Sequence, residues 1–254
     1  MMGPHAPYTC PPDYIRKVRD VAEKYDMPIN IHLSETKGEV ENCEKEYHMT
    51  PIALMDSLGL FERPTLAAHC VHVTDDDIRI MKEKHVCAAH NPASNLKLAS
   101  GIAPVPKMRK AGITVGIGTD GASSNNKLDM FAEMRLTALI HKAANYDPFA
   151  ITAKEAVDMA TKDGAKCLGY DNLGELKEGF LADIILIDRT GFHWKPRFDS
   201  VSLAVYAGNS MDVDTVIING RPVMEHKELL TIDTEKMEAE VSRVTEKLYA
   251  FTKK

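Results

Sequence analysis

The chain has 254 residues, 44% of them hydrophobic, and a formal net charge of -6, enough material for one large core or two modest ones. Acidic and basic residues are interspersed, with no basic stripe to neutralise a phosphate backbone, so no nucleic-acid partner is expected. Apolar runs such as Ala182 to Ile187 stop far short of the roughly 18 residues a membrane span needs, so no membrane partner is expected either. Five cysteines, at positions 10, 43, 70, 87 and 167, form no C-x-x-C pair and no even framework, which fits a soluble, cytoplasmic protein. The opening Met-Met-Gly-Pro-His lacks the pattern of a secretory signal and has no predicted element ahead of it, so it reads as a chain entered partway.

Short apolar runs alternate with helical segments over residues 1–170, as βα units of a parallel sheet do. Pro11 and Pro12 suit a first helical turn, and Tyr14, Val18, Val21, Ala22 and Tyr25 place one apolar face on that helix. A strand follows over 28–33. Thr50 and Pro51 open a second helix that ends at Gly59, and a strand covers 65–70. Thr74 and Asp77 predict a capping box, after which 86–90 reads as a strand. A short helix over 105–110, a strand over 113–119 and helices over 128–144 and 152–168 complete the region.

After Gly169 the texture changes. Residues 182–188, 201–206 and 215–218 read as strands separated by turns such as Asn219-Gly220, giving a small β-rich domain over 171–232. A polar amphipathic helix is expected over 233–254. Four strand and helix units fall short of the eight that close a barrel of typically about 250 residues, so either the sheet is open or the barrel is partial.

Strand parity supplies the sharpest clue to chemistry, because alternate side chains of a strand face opposite ways. In 29–33 the bulky residues are odd-numbered, which leaves His32 on the other face. The same alternation carries Asp120 to the face of Gly116 and Gly118, and His69 to the face of the small Ala67. Three polar side chains thus stand at carboxy-terminal strand ends, where α/β folds place their sites. Imidazoles and a carboxylate suit a divalent ion such as Zn²⁺, and Glu35, three residues after His32, suits proton transfer beside it. His72 reads as a turn or surface residue, and His48, His85, His141, His193 and His226 as surface residues. The Gly116-x-Gly118 pair lacks the third glycine of a dinucleotide fingerprint and the lysine of a P-loop.

The phrases around these residues resemble the amidohydrolase superfamily. Gly-Pro-His5-Ala-Pro-Tyr-Thr-Cys, His32-Leu-Ser-Glu35-Thr, Ala-His69-Cys-Val-His, His90-Asn-Pro-Ala-Ser-Asn95 and Gly-Thr-Asp120-Gly-Ala-Ser-Ser-Asn-Asn are similar to its 5-methylthioadenosine/S-adenosylhomocysteine deaminase branch. The resemblance implies an α/β fold: the carboxy-terminal half of a (β/α)8 TIM barrel, followed by strands of a small β-sandwich. It implies one divalent metal ion, Zn²⁺, held by His32 and Asp120. Glu35, His69 and Asp120 would be catalytic, and His5, Glu35 and Asp120 would contact the substrate, with Asn91 and Asn95 shaping the pocket. The implied substrate is a small-molecule nucleoside, a 5'-modified adenosine deaminated to an inosine-type product, and the implied full-length protein is a homo-oligomer. The branch also carries a His-x-His metal motif, and no His-x-His occurs in this sequence, so the chain is expected to be the carboxy-terminal part of a longer enzyme. Two other readings stay open: a hydrolase of another aminated heterocycle or cyclic amide, and a non-catalytic binding protein of the same fold.

Overall fold

The computed structural model describes residues 1–252, which divide into two compact units. The first comprises 1–175 and 196–210, and the second 176–195 with 211–252 among the described residues.

In the first unit, α1 (Pro12–Lys24) precedes β1 (Ile29–Leu33). The face α1 buries is Ile15, Val18 and Ala22, whereas Tyr14, Val21 and Tyr25 are exposed, so the predicted stripe is rotated towards Ile15. Next come α2 (Lys37–Tyr47), α3 (Pro51–Ser57) and β2 (Thr65–His69). The capping box of Thr74 and Asp77 starts α4 (Asp75–Glu83), which leads into β3 (Cys87–His90). Two short helices, α5 (Pro92–Lys97) and α6 (Val105–Lys110), precede β4 (Val115–Ile117). Then α7 (Met130–Asn145) is capped by Asp129, whose side chain accepts from the N–H groups of Phe131 and Ala132.

The helix expected over 152–168 is two, α8 (Ala153–Ala160) and α9 (Lys162–Cys167), because Thr161 between them leaves helical geometry at φ -122°, ψ -96°. The strand expected over 201–206 is a helix, α10 (Ser200–Tyr206). Its β-branched residues read as a strand, yet Asp199 accepts from the N–H groups of Val201 and Ser202 and nucleates a helical turn that packs on α7 and α8.

β1 to β4 form a parallel sheet in sequential order, in the register Ile31 to Ala67 to Ala88 to Val115. Ile29, Ile31 and Leu33 are wholly buried while Asn30 is exposed and His32 half-buried, so β1 alternates as its sequence dictates. The opening residues are not outside this sheet: Met2 bridges Ile29 in parallel, and the His5 carbonyl accepts from the His32 N–H.

In the second unit, β5 (Ile184–Ile187), β6 (Val213–Ile218), β7 (Arg221–Glu225) and β8 (Glu228–Leu229) form an antiparallel sheet in that order. Asn219 and Gly220, both at positive φ, turn β6 into β7. The final element, α11 (Thr234–Thr252), buries no residue. No helix among the described residues is long and apolar enough to cross a membrane.

Candidate metal centre and active site

The carboxy-terminal ends of β1, β2 and β4 deliver three ligand-bearing side chains to one place. Ligand atoms of His32, His69 and Asp120 lie within 4.8 Å of one another. His32 sits on β1 and His69 ends β2. Asp120 lies beyond β4, which stops at Ile117, so strand alternation does not carry it to the centre. It arrives instead through a left-handed backbone, φ +60°. Ser34, His69 and Cys70 also adopt positive φ, +52°, +72° and +48°, so the chain turns sharply at each of these strand ends. Side chains other than glycine adopt that region at a cost, and it recurs where a structure over-determines a site.

Each of the three groups is held from behind. His32 Nδ1 donates to the His5 carbonyl at 2.7 Å, and His69 Nδ1 donates to Asn95 Oδ1 at 2.7 Å, leaving Nε2 of both rings with a free lone pair. Asp120 Oδ2 accepts from Ser94 Oγ at 2.6 Å and Ser124 Oγ at 2.8 Å, and its Oδ1 accepts from the Gly121 N–H at 2.7 Å. Burial pushes the Asp120 carboxyl up, but these three hydrogen bonds and nearby His69 outweigh it and hold it below the usual carboxylate range. Two imidazole nitrogens and a carboxylate oxygen make a donor set that fits a borderline-soft divalent ion.

Glu35 stands beside them, its Oε2 3.8 Å from His69 Nε2 and its Oε1 accepting from Ser100 Oγ at 3.3 Å. The turn that carries it is fixed by Glu39, which accepts from the N–H groups of Ser34 and Glu35 at 2.9 and 2.8 Å. The His5 ring packs against that of His32 at 5.1 Å. Of the two asparagines, Asn95 bonds His69 directly, while Asn91 starts α5.

One histidine departs from the sequence reading. His141 is not a surface residue: it is wholly buried, with Nε2 3.2 Å from Nε2 of the buried His90. Burial pushes the His141 imidazole down to about 4, and it lowers His90 as well, aided by the neighbouring His141 and His69. His72 bonds the Ser100 carbonyl at 2.7 Å at a turn, and His48, His85, His193 and His226 are exposed, as the sequence reading has them. The holders Ser94, Ser124, Ser100 and Glu39 were not singled out from the sequence. The available signal was the hydroxyl-rich run Asp120-Gly-Ala-Ser-Ser124, in which a serine four residues on can reach back to the carboxylate.

Comparison with known proteins extends this geometry. Residues 1–223 match the model of the amidohydrolase family. The sequence is 54% identical over 243 residues to a 5-methylthioadenosine/S-adenosylhomocysteine deaminase of Dictyoglomus thermophilum, covering 96% of this chain and 57% of that protein. Among solved structures, an adenosine deaminase from Xanthomonas campestris with bound zinc superposes with a TM-score of 0.94 at 36% identity, over 98% of this chain and 57% of that one. Atrazine chlorohydrolase from Arthrobacter aurescens, complexed with zinc, superposes with a TM-score of 0.89 at 30% identity, over 95% of this chain and 53% of that one. The chain therefore spans between 53% and 57% of the length of these three proteins.

Proposed function

The chain belongs to the amidohydrolase family, and from that premise we propose that it carries the larger part of the active centre of a hydrolytic deaminase of 5'-modified adenosines. The observation that carries this reading is the convergence of His32, His69 and Asp120 within 4.8 Å, with Glu35 alongside at 3.8 Å from His69. 5'-Methylthioadenosine and S-adenosylhomocysteine lead the candidate substrates because of the Dictyoglomus relative, followed by 5'-deoxyadenosine and adenosine.

His32 and Asp120 would hold one divalent ion, Zn²⁺ by the donor set. When bound, such an ion supplies Lewis-acid activation of water and of the substrate. The chain's own residues do the rest. Asp120, whose carboxyl is kept ionised, takes a proton from the attacking water. His69, its ring fixed by Asn95, orients that water and stabilises the charge that develops as it attacks the carbon bearing the amino group. Glu35 passes a proton to the purine ring nitrogen, and His5 contacts the substrate. Water adds, ammonia leaves, and an inosine-type nucleoside results. A catalytic zinc site takes about three protein donors and keeps one position for water, so His32 and Asp120 would be joined by a further donor. β1 to β4 are read as an arc of a (β/α)8 barrel and β5 to β8 as part of a small β-sandwich.

The similarity to atrazine chlorohydrolase favours a second reading, displacement at an aminated triazine-type ring by the same residues. One assay separates the two. The chain, alone and joined to the unmatched portion of the Dictyoglomus relative, is loaded with Zn²⁺ and offered 5'-methylthioadenosine, S-adenosylhomocysteine and a chlorotriazine. Loss of adenine absorbance with ammonia release supports the deaminase. Absence of ammonia from both nucleosides in the joined protein rejects it.

A further inference from the structure

Asp120 lies on a loop in left-handed geometry, and its carboxylate is gripped by serines from two separate segments, Ser94 of α5 and Ser124 of the loop after β4. For that grip to define one rotamer, α5 and the loop must be held in fixed register. No direct bond between Ser94 and Ser124 does so. A third segment does: Glu133, on the first turn of α7, is 1% exposed and points between them. Its Oε2 accepts from the Ala93 N–H, one residue before Ser94, at 3.1 Å. Its Oε1 accepts from Asn125 Nδ2, one residue after Ser124, at 2.7 Å. The same Asn125 amide also donates to the Thr119 carbonyl, one residue before Asp120, at 2.9 Å. The carboxylate thus ties together the neighbours of every side chain that sets Asp120.

We infer that Glu133 is a positioning residue, a buried clamp that fixes the rotamer of Asp120 by locking α5 to the loop after β4. A carboxylate is suited to the task because it offers two acceptor oxygens to donors from two directions, whereas a glutamine of the same shape turns an N–H towards one of them. Burial raises the Glu133 carboxyl above its ordinary value, opposed by the hydrogen bonds from Ala93 and Asn125, so the clamp is built against a desolvation cost. The inference rests on the reading of Asp120 as metal ligand and proton acceptor for its consequence, but not for its geometry.

The test therefore reads two quantities on the full chain. Amide hydrogen exchange at Gly121 reports the Asp120 rotamer, because that N–H donates to Asp120 Oδ1 at 2.7 Å. Zn²⁺ affinity, by chelator competition, reports the consequence. Glu133→Gln is expected to speed Gly121 exchange about tenfold and to weaken Zn²⁺ about tenfold, the low end for residues that support a ligand. Ser94→Ala should weaken Zn²⁺ similarly, and the double variant should lose less than the sum, since both act through one carboxylate. Thr137→Val, one helical turn on, removes a buried hydroxyl that has no partner among the described residues, and should move neither readout. Unchanged Gly121 exchange in Glu133→Gln overturns the clamp. Faster exchange with no Zn²⁺ taken up even after the chain is joined to the unmatched portion of the Dictyoglomus relative overturns the metal reading and leaves the clamp standing.

Discussion

The carbonyl oxygen of His5 accepts two hydrogen bonds from His32, one from its backbone N–H at 3.0 Å and one from its ring Nδ1 at 2.7 Å. A single acceptor on the neighbouring segment therefore fixes both the strand position and the tautomer of a proposed metal ligand. Because that acceptor is backbone, the His5 side chain, whose Nδ1 bonds Thr9 Oγ1 at 2.7 Å, takes no part in holding His32 by hydrogen bonds. His5→Ala is expected to leave Zn²⁺ affinity within about twofold of the parent, while His32→Ala lowers it by at least the roughly 10–100-fold seen for loss of a supporting residue. Chelator competition on both variants checks this. Equal losses would show that the ring of His5, rather than its carbonyl, supports the site.

The buried pair of His90 and His141 predicts an acid-sensitive fold. The Nε2 to Nε2 bond of 3.2 Å needs one ring to accept, so at most one can be charged, and burial lowers both imidazoles, which favours two neutral rings in the native state near pH 7. The unfolded chain binds a proton on His141 near its ordinary 6.5 and the folded chain only near about 4, so over that window the unfolded state holds more protons. Stability must then fall as the pH drops from about 6.5 towards about 4, by up to about 3 kcal/mol for this residue. Urea melts at pH 7.5 and 5 should show the loss, and His141→Gln should make it shallower. Greater stability of the parent at pH 5 would contradict the sign.

The same residue marks where the sequence stops being informative. β1 is readable because its burial alternates strictly, Ile29, Ile31 and Leu33 inward and His32 turned the other way. His141 lies at a helical spacing that looks like any solvated face, and only the fold shows that its partner is His90, 51 residues away. α2 escaped for a related reason: among its residues only Glu39 and Cys43 are buried, so its inward face carries a carboxylate serving the Glu35 turn instead of an apolar stripe. Strand parity does not extend to Asp120, since β4 ends at Ile117 and a left-handed residue makes the final turn that brings it within 4.8 Å of His32 and His69. The motifs contain His32, Glu35, His69 and Asp120, but the serines that bond Asp120 and the Glu133 that braces them come from segments whose proximity is tertiary.

The five thiols should differ sharply in reactivity. Burial pushes the Cys43 thiol up to about 11 and Cys70 higher still, whereas the hydrogen bond from Cys167 holds Cys87 below the usual thiol range. Since the thiolate is the nucleophile, iodoacetamide at pH 7.5 should alkylate Cys87 well before Cys43 or Cys70 in the native chain. Peptide mass mapping over a time course checks the order. Early labelling of Cys70 would mean that its surroundings open far more readily than its full burial implies.

Gly118 connects backbone geometry to the centre most directly. A methyl group there would collide with Oδ1 of Asn91, the residue that starts α5, whereas at Gly116 it would press against the backbone of Gly164 in α9 at 3.1 Å. The two clashes differ in what must move. At Gly118 it is a side-chain oxygen at the head of the helix that supplies Ser94 to Asp120, and at Gly116 it is a helix packed on the sheet away from that carboxylate. Both alanine variants should lose about 1–3 kcal/mol, the usual cost of overpacking. Only Gly118→Ala should also weaken Zn²⁺ binding, because displacing Asn91 shifts the start of α5 and with it the serine that orients Asp120. Thermal melts and chelator competition on the pair separate the effects. If Gly116→Ala loses metal as steeply as Gly118→Ala, then general loosening of the sheet, rather than the position of α5, governs the site.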